Sequence, residues 1–311
     1  MTQQCKNFFY SHGKLLLTGE YFILYGSYGL AFPTVKGQSL AIYYGNKGSV
    51  LQWKSLNEIN KPWFECIFLL PSLDIFYETE KKTALKLRNL LLESRRLQNK
   101  FLKNSLYKKI YVKTKLEFPI NWGLGSSSTL INNIAKWAKV NPYVLLEKNF
   151  VMGSGYDIAC GYNRKPIFYR LKNKKPHIIP IDFNPPFKKK LFFLHLNKKQ
   201  NTYDGIRFFL SKKENISRKK IDFISFITKK IPFCKTLKEF EELLIQHEMI
   251  IAKTLDIPTV KEIYFPDYLG VVKSLGAWGG DFVLVSYRDG MKKYFSKKGY
   301  NTLLSFNEMI F

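Results

Sequence analysis

The sequence contains few cysteines, few acidic residues and no long hydrophobic run. Its four cysteines are widely spaced and form no CxxC pair, which argues against a disulfide framework and against a zinc site. No uncharged apolar run reaches the roughly 18–20 residues that span a bilayer. The first residues also lack the pattern of a secretory signal. We therefore expect a soluble, cytoplasmic protein with reduced thiols and no membrane partner.

The acidic residues are outnumbered by basic ones. Fifty Lys and Arg residues against 24 Asp and Glu residues give a formal net charge of +26. Such an excess is typical of proteins that bind nucleic acid, anionic membranes or phosphorylated substrates. The lysines, however, are dispersed along the chain as short pairs, such as Lys81-Lys82 and Lys229-Lys230. We interpret the excess mainly as compositional background, and a nucleic-acid partner is not favoured.

The length and the hydrophobic pattern predict two domains of mixed secondary structure. The chain has 311 residues, of which 46% are hydrophobic, and a typical domain has about 150. Helices and strands alternate, with antiparallel hairpin signals, which favours the α+β class. A stretch rich in proline and lysine, 172–190, indicates the boundary between an N-terminal domain, 1–180, and a C-terminal domain, 181–311. The predicted strands are 13–18, 22–25, 38–53, 63–69, 109–117 and 191–195. The predicted helices are 80–106, 129–139, 142–149, 204–213 and 236–254. A last strand pair, 269–275 with 282–287, is predicted around a glycine turn.

The segment FPINWGLGSSSTL, residues 118–130, is the most informative part of the sequence. Glycine allows the backbone to approach a ligand, and the N–H groups at a helix start bind phosphate. Serine hydroxyls there can cap the helix or ligate Mg²⁺. The alternative interpretation is a serine-capped helix after a glycine turn, with no role in ligand binding. No lysine follows the loop and GxGxxG is absent, which excludes a P-loop NTPase and argues against a dinucleotide fold.

Three further segments contain residues suited to chemistry. GSGYD, residues 153–157, places a carboxylate in a glycine-rich turn, where Asp157 can take a proton from a substrate hydroxyl or can simply form the turn. GAWGGD, 276–281, allows close backbone approach to a ligand. Near the start of the chain, Lys14 lies between apolar residues of a strand, and such a lysine requires a carboxylate or phosphate partner.

Taken together, these segments resemble the GHMP family of small-molecule kinases. The three motifs of that family are matched by GKLLLTGEYFILYGSYGLA (13–31), PINWGLGSSST (119–129) and SLGAWGGDF (274–282). The second match is the most specific. Within the family, the sequence most resembles the mevalonate-pathway branch of phosphomevalonate kinases and mevalonate kinases. GKLLLTGEY and GSGYDIACG are similar to the phosphomevalonate kinase forms.

The resemblance implies a two-domain GHMP kinase fold with ATP and substrate in the inter-domain cleft. It implies that Asp157 is the general base and that Lys14 keeps it ionised and steadies the transferring phosphoryl charge. It also implies ATP and Mg²⁺ as cofactors. The implied ATP-phosphate loop consists of Gly123, Leu124, Gly125, Ser126, Ser127 and Ser128, the implied Mg²⁺ ligands are Ser127 and Glu147, and the implied substrate contacts are Glu20, Gly155, Gly276, Ala277, Gly279 and Gly280.

The expected function is ATP-dependent phosphoryl transfer to a small anionic metabolite, phosphomevalonate or mevalonate. The alternatives are an enzyme similar to diphosphomevalonate decarboxylase and a catalytically silent protein that binds nucleotide or metabolite. The sequence departs from the family at Trp278, where glycine is usual, at His12, where proline is usual, and in the 24 residues between Ser128 and Gly153, a short spacing. Trp278 predicts a bulkier third loop and is the best support for the silent alternative.

Overall fold

The chain folds into two compact units, each assembled from separate stretches of sequence. The computed structural model describes residues 5–45, 48–103, 109–149, 153–199, 202–276 and 278–311. Unit 1 comprises Met1–Gly13, Lys36–Ile120 and Gly125–Val151, and unit 2 comprises Lys14–Val35, Asn121–Leu124 and Met152–Phe311. Helices and sheets occur together, which confirms the predicted α+β class.

The elements follow one another along the chain as a mixture of strands and helices. The strands are β1 Asn7–Thr18, β2 Gly29–Gly45, β3 Val50–Leu56, β4 Pro62–Leu69, β5 Ile75–Glu78, β6 Lys109–Leu116, β7 Ile167–Lys172, β8 Lys175–Pro180, β9 Leu191–His195, β10 Val272–Ser274, β11 Phe282–Ser286 and β12 Leu303–Ser305. The helices are α1 Lys81–Leu97, α2 Ser126–Ala138, α3 Pro142–Asn149, α4 Tyr156–Tyr162, α5 Thr202–Ser211, α6 Arg218–Lys230, α7 Leu237–Leu255, α8 Val260–Tyr264, α9 Met291–Lys297 and α10 Phe306–Met309.

Unit 1 contains a sheet with three helices packed on one another. The strand order is β5-β4-β3-β6-β2, and β3 and β6 pair in parallel. Every second side chain of β6 is buried, as expected for a strand with one face on a core. In α1, Ala84, Leu87 and Leu91 are buried and recur at helical spacing, so this helix has one apolar face. Helices α1, α2 and α3 pack together.

Unit 2 contains a four-stranded sheet whose inner strands, β11 and β9, are largely buried. Its order is β10-β11-β9-β12, with all neighbours antiparallel. All five residues of β11, FVLVS, are buried, which explains why this strand reads as a continuous apolar run. The pairing of β10 with β11 confirms the predicted strand pair around the glycine turn. The first residues of β2, 29–31, pair with β7, and β7 pairs with β8.

Helices α5, α6 and α7 surround a hydrophobic cluster in unit 2. Helix α7 begins with a capping box in which Thr236 and Glu239 exchange hydrogen bonds with the backbone. It contributes Ile251 and Leu255 to the cluster. The remaining buried members are Tyr21, Phe22, Ile206, Phe209, Ile224 and Trp278.

Some sequence-based predictions differ from the structure. Residues 22–25 form a short 3-10 helix rather than a strand, because four apolar residues without alternation fit either form and Gly26, at φ 83°, ends the turn. Helix α1 ends at Leu97, because Gln98 is extended. Residues 152–311 lie in one compact unit, so the units are not the continuous segments 1–180 and 181–311, and the kinase-domain assignment stays a prediction. Within the described residues, no helix is long and apolar enough to span a bilayer.

Candidate active site

The segment Asn121–Leu124, which ends with the first two residues of the predicted phosphate loop, is held at both ends within unit 2. The Asn121 oxygen lies 3.4 Å from Nε2 of His195, whose Nδ1 accepts a backbone N–H two residues further along at 3.3 Å. Because Nδ1 accepts, Nε2 carries the proton and donates to Asn121. At the other end, the Leu124 oxygen accepts the backbone N–H of Lys14 at 3.0 Å. Strands β9 and β1 therefore fix the loop.

Gly123 lies against a buried carboxyl group. It has a left-handed φ of 65°, and a Cβ at this position would overlap the carboxyl of Asp281. Asp281 is only 7% exposed and has itself a left-handed φ of 52°. Both the left-handed φ of residue 123 and the overlap with Asp281 therefore require glycine at this position. Asp281 is not among the predicted site residues, although its place at the end of the third glycine motif was a signal.

The second half of the loop forms the start of helix α2 in unit 1. Gly125 has a left-handed φ of 86° and precedes the helix without a side-chain cap, so glycine is required there too. Ser127 is exposed and Ser126 half-buried, whereas Ser128 is buried and its hydroxyl donates to the Gly125 oxygen at 2.8 Å. The Leu124 side chain is fully buried, which leaves only its backbone for a ligand.

Lys14 and Gly276 lie close together in unit 2. Lys14 is half-buried in β1, and its Nζ lies 5.8 Å from the centroid of the Tyr156 ring. Gly276 has a φ of 74°, and the position of an added Cβ would be 3.9 Å from Lys14 Nζ and 3.8 Å from Tyr156 Oη. The first motif, the GSGYD segment and the third glycine loop thus meet at one place.

Asp157 lies in the first turn of α4, one residue after Tyr156. The helix follows Gly155, which has a left-handed φ of 79°. Asp157 is half-buried, and its Oδ1 accepts the backbone N–H of Ile158 at 3.0 Å. Burial, and then the Asp157 carboxylate, raise the pKa of the Cys160 thiol, whereas Lys14 lowers it. Both charges therefore act on the same buried neighbour, and the structure brings Lys14 and Asp157 into one neighbourhood.

Tyr156 is a residue of this neighbourhood that sequence analysis missed. Burial raises the pKa of its hydroxyl well above the usual value, and the carboxylates of Asp157, Glu20 and Asp281 act in the same direction. The hydroxyl therefore stays protonated. Its place immediately before Asp157 was the only signal in the sequence.

Glu20 lies in the interior rather than on a ligand-accessible surface. Its side chain is fully buried, and Oε1 is 2.5 Å from the ammonium of Lys273, which is also fully buried. Lys273 lies 3.0 Å from Oε1 of Glu248 as an ion pair without hydrogen-bond geometry. Burial disfavours the Lys273 charge, but the two carboxylates outweigh it and raise its pKa. We therefore give Glu20 a positioning role, and its predicted contact with substrate stays a prediction.

His247 completes this group, which we call the buried cluster: Glu20, His247, Glu248 and Lys273. His247 Nε2 accepts the backbone N–H of Gly19 at 2.9 Å and faces the second Glu20 oxygen at 3.3 Å. Burial, followed by Lys273, lowers the pKa of His247 well below its usual value, so the ring is neutral. Burial raises the pKa of the Glu20 carboxyl to about 7 despite Lys273. At neutral pH the buried cluster therefore contains a carboxyl group that is only partly ionised.

The third glycine loop is tied to the first motif. The backbone N–H of Trp278 donates to the Tyr21 hydroxyl at 2.9 Å. The Trp278 side chain is 8% exposed and packs in the hydrophobic cluster of α5, α6 and α7, so its bulk enters the core instead of enlarging the loop surface. Gly279 has a left-handed φ of 83° and Gly280 is buried. Ala277 lies outside the described residues.

Glu147 lies on α3 in unit 1. Its side chain is exposed, and α3 packs on α2, the helix that begins with the loop serines. Among the described residues, no group of three or more His, Cys, Asp and Glu side chains is arranged to hold a metal ion. The roles of Glu147 and Ser127 as Mg²⁺ ligands stay predictions.

Solved structures of two kinases and of a decarboxylase are similar to this chain. Mevalonate kinase from Methanococcus jannaschii matches with a TM-score of 0.68 and 17% identity, over 96% of this chain and 96% of that chain. Phosphomevalonate kinase from Streptococcus pneumoniae, in complex with phosphomevalonate and AMPPNP, matches with a TM-score of 0.66 and 14% identity, over 94% and 95%. Mevalonate diphosphate decarboxylase from Staphylococcus aureus matches with a TM-score of 0.54 and 12% identity, over 94% and 90%.

These matches extend over nearly the whole chain. The chain has the GHMP kinase fold. No protein-family model matches the sequence, and no curated protein is similar enough to count as a match. The likeness is therefore one of fold, and it confirms the resemblance seen in the three motifs. Within this GHMP kinase fold, unit 2 brings together Lys14, Asp157, Gly276 and the segment Asn121–Leu124.

Proposed function

We propose that the protein is an ATP-dependent kinase for a small anionic metabolite of the mevalonate or phosphomevalonate class. The observation that carries this proposal is the common neighbourhood of Lys14 and Asp157 in a chain with this fold. Proton abstraction needs a base, such as a carboxylate, near the acceptor hydroxyl. Phosphoryl transfer also needs a fixed cation beside the transferring group. The two mevalonate-pathway kinases named above are the basis for the substrate class.

The loop residues fit a nucleotide phosphate chain. Gly125, in a left-handed conformation, precedes the first turn of α2, whose free N–H groups and dipole favour an anion. Ser127 offers an exposed hydroxyl, a hard oxygen ligand of the kind that Mg²⁺ prefers, and Glu147 offers an exposed carboxylate. When bound, MgATP supplies the phosphoryl group and part of the positive charge. The backbone of 123–128 and the hydroxyl of Ser127 would hold it.

Asp157 and Lys14 would perform the chemical work of the protein itself. The Asp157 carboxylate would accept the proton of the acceptor hydroxyl as the new P–O bond forms. The Lys14 ammonium would favour the ionised carboxylate and neutralise charge on the phosphoryl oxygens. Gly155, Gly276, Ala277, Gly279 and Gly280 would line the acceptor site.

A coupled assay of ADP release tests this proposal. The wild-type protein is expected to release ADP with mevalonate or phosphomevalonate as acceptor. Asp157→Asn should lower kcat by at least about 10²-fold, the usual contribution of a general base, and Lys14→Met by a similar factor. Matched controls are Asp182→Asn, with an 87% exposed side chain, and Lys113→Met, on an exposed face of β6. Full activity of the Asp157 and Lys14 variants would contradict the assigned roles.

Two further measurements separate the alternatives. Release of CO₂ from diphosphomevalonate would indicate the decarboxylase reaction, which the Staphylococcus aureus enzyme performs by name. Nucleotide binding by calorimetry with no turnover on any of these acceptors would indicate a silent binding protein. Burial of the Trp278 ring removes the main argument for a blocked loop.

A further inference from the structure

The Tyr156 hydroxyl and the Lys14 ammonium reach the same space above Gly276. An added Cβ on Gly276 would lie 3.8 Å from Tyr156 Oη and 3.9 Å from Lys14 Nζ, so the two groups are nearly equidistant from one point. Glycine keeps that space open. A ligand oxygen placed between the two groups can approach both of them.

The Tyr156 ring is fixed by packing, which aims its hydroxyl. The residue is half-buried and packs against a cluster that includes Leu16, Ala159 and Tyr169. Helix α4 begins at Tyr156, after the left-handed Gly155. Packing therefore accounts for the ring of Tyr156 but not for its hydroxyl.

The hydroxyl is suited to donate a hydrogen bond and not to act as a base. Burial and the nearby carboxylates hold it in the protonated form. In the part of the chain that the structure describes, no protein group hydrogen bonds to it. A neutral donor beside an ammonium is the combination expected around an anionic oxygen.

We infer that Tyr156 Oη and Lys14 Nζ together bind one phosphate oxygen above Gly276. This inference rests on the proposed kinase function. The oxygen belongs either to the transferring phosphoryl group or to a phosphate of the acceptor. In both cases Tyr156 touches a reactant and has no part in proton abstraction, which stays with Asp157.

The test compares Tyr156→Phe with Tyr162→Phe in the assay of ADP release. Phenylalanine keeps the ring and its packing, and Tyr162 is the last residue of the same helix and is 45% exposed. Tyr156→Phe should lower kcat/KM by about 10²-fold, the loss found when one oxyanion donor is removed, while Tyr162→Phe stays at the wild-type value. Circular dichroism and thermal unfolding confirm that both variants fold.

Two acceptors distinguish the sources of the phosphate oxygen. A loss in kcat with both mevalonate and phosphomevalonate places the oxygen on the transferring group. A rise in KM for phosphomevalonate alone places it on the acceptor. Because both donors bind one oxygen, the double variant Lys14→Met/Tyr156→Phe should lose much less than the product of the single losses.

The outcomes separate the inference from the function on which it rests. Wild-type turnover with an unchanged Tyr156→Phe variant overturns the inference and leaves the kinase function intact. Strictly multiplicative losses in the double variant also overturn it, because the two groups then act on different atoms. No turnover and no calorimetric binding of either acceptor by the wild type overturns both.

Discussion

The ammonium of Lys273 lies 2.5 Å from a carboxylate oxygen of Glu20, and both side chains are fully buried. The pair joins the first motif to β10, the strand that precedes the third glycine loop. Glu248 faces the same ammonium at 3.0 Å, so one cation lies between two carboxyl groups. A buried group of this composition is close to neutral when one carboxyl carries a proton. It links the first motif to β10 through buried side chains.

Loss of the Lys273 charge is expected to destabilise the protein strongly. Lys273→Met leaves Glu20 and Glu248 buried without a cation, and removal of one partner of a buried pair costs about 3–5 kcal/mol. Urea denaturation at pH 7 measures this loss in the free energy of unfolding. Lys273→Met/Glu20→Gln should recover part of it, because one of the stranded carboxyls is then neutral. A Lys273→Met variant as stable as the wild type would show that the Lys273 ammonium does not stabilise the two buried carboxyl groups.

Glu20 is expected to make stability depend on pH near neutrality. Its pKa is about 7 in the folded protein and about 4.5 in the unfolded chain, so the folded state binds this proton more tightly. Its stabilising contribution is complete below pH 4.5 and is lost as the pH rises through about 7. The free energy involved is on the order of 3 kcal/mol at most.

Unfolding of Glu20→Gln from pH 4.5 to 8 tests this dependence. The Glu20→Gln variant should lack the loss of stability that Glu20 causes as the pH rises. Its free energy of unfolding should therefore increase relative to that of the wild type between pH 4.5 and 8. His247 titrates in both proteins and has the opposite sign, because its lowered pKa removes stability as the pH falls below about 6.5. The difference between the two proteins isolates Glu20, and parallel curves would contradict its raised pKa.

Gly123→Ala is expected to damage the loop. An alanine at φ 65° is strained, and its Cβ would overlap the Asp281 carboxyl. We expect a loss of about 1–3 kcal/mol in the free energy of unfolding and a raised KM for ATP in the kinase assay. Gly153→Ala is the matched control, because an added Cβ there meets nothing within 4 Å. Adding Asp281→Gly to Gly123→Ala should relieve the overlap and recover part of the lost stability. If the double variant recovers none, the strained φ alone accounts for the loss.

Trp278 is expected to act as a core residue despite its position in a glycine loop. Trp278→Ala removes a buried ring from the cluster of α5, α6 and α7 and should cost about 3–5 kcal/mol. Trp63→Ala, at a 41% exposed position, should cost far less in the same thermal or urea unfolding experiment. Equal effects of the two substitutions would contradict this packing role.

The elements that the sequence predicted well are those whose hydrophobic pattern is local. Strand β9 coincides with the predicted 191–195, and α7 lies within one residue of the predicted 236–254 at each end. A fully buried run and an amphipathic run with a capping box leave little choice of structure. The three motifs likewise indicated the GHMP kinase fold, because each combines glycines with polar residues in a fixed order.

The contacts that the sequence did not reveal join distant residues. Glu20 and Lys273 are 253 positions apart, and no local pattern pairs them. A lysine in the apolar run GVVKSL requires a buried partner, yet the sequence does not say which carboxylate provides it. The approach of Asp281 to Gly123 and that of Tyr156 to Gly276 depend in the same way on tertiary folding.

The interleaved composition of unit 2 has a consequence for biosynthesis. Lys14–Val35 is translated before Met152–Phe311, the stretch with which it forms unit 2. Until that stretch emerges, the apolar side chains of 15–17 and 30–32, all buried in the finished protein, have no complete core to enter. The nascent chain therefore carries incompletely buried hydrophobic strands until that later stretch has been made, a state in which chaperone binding competes with aggregation.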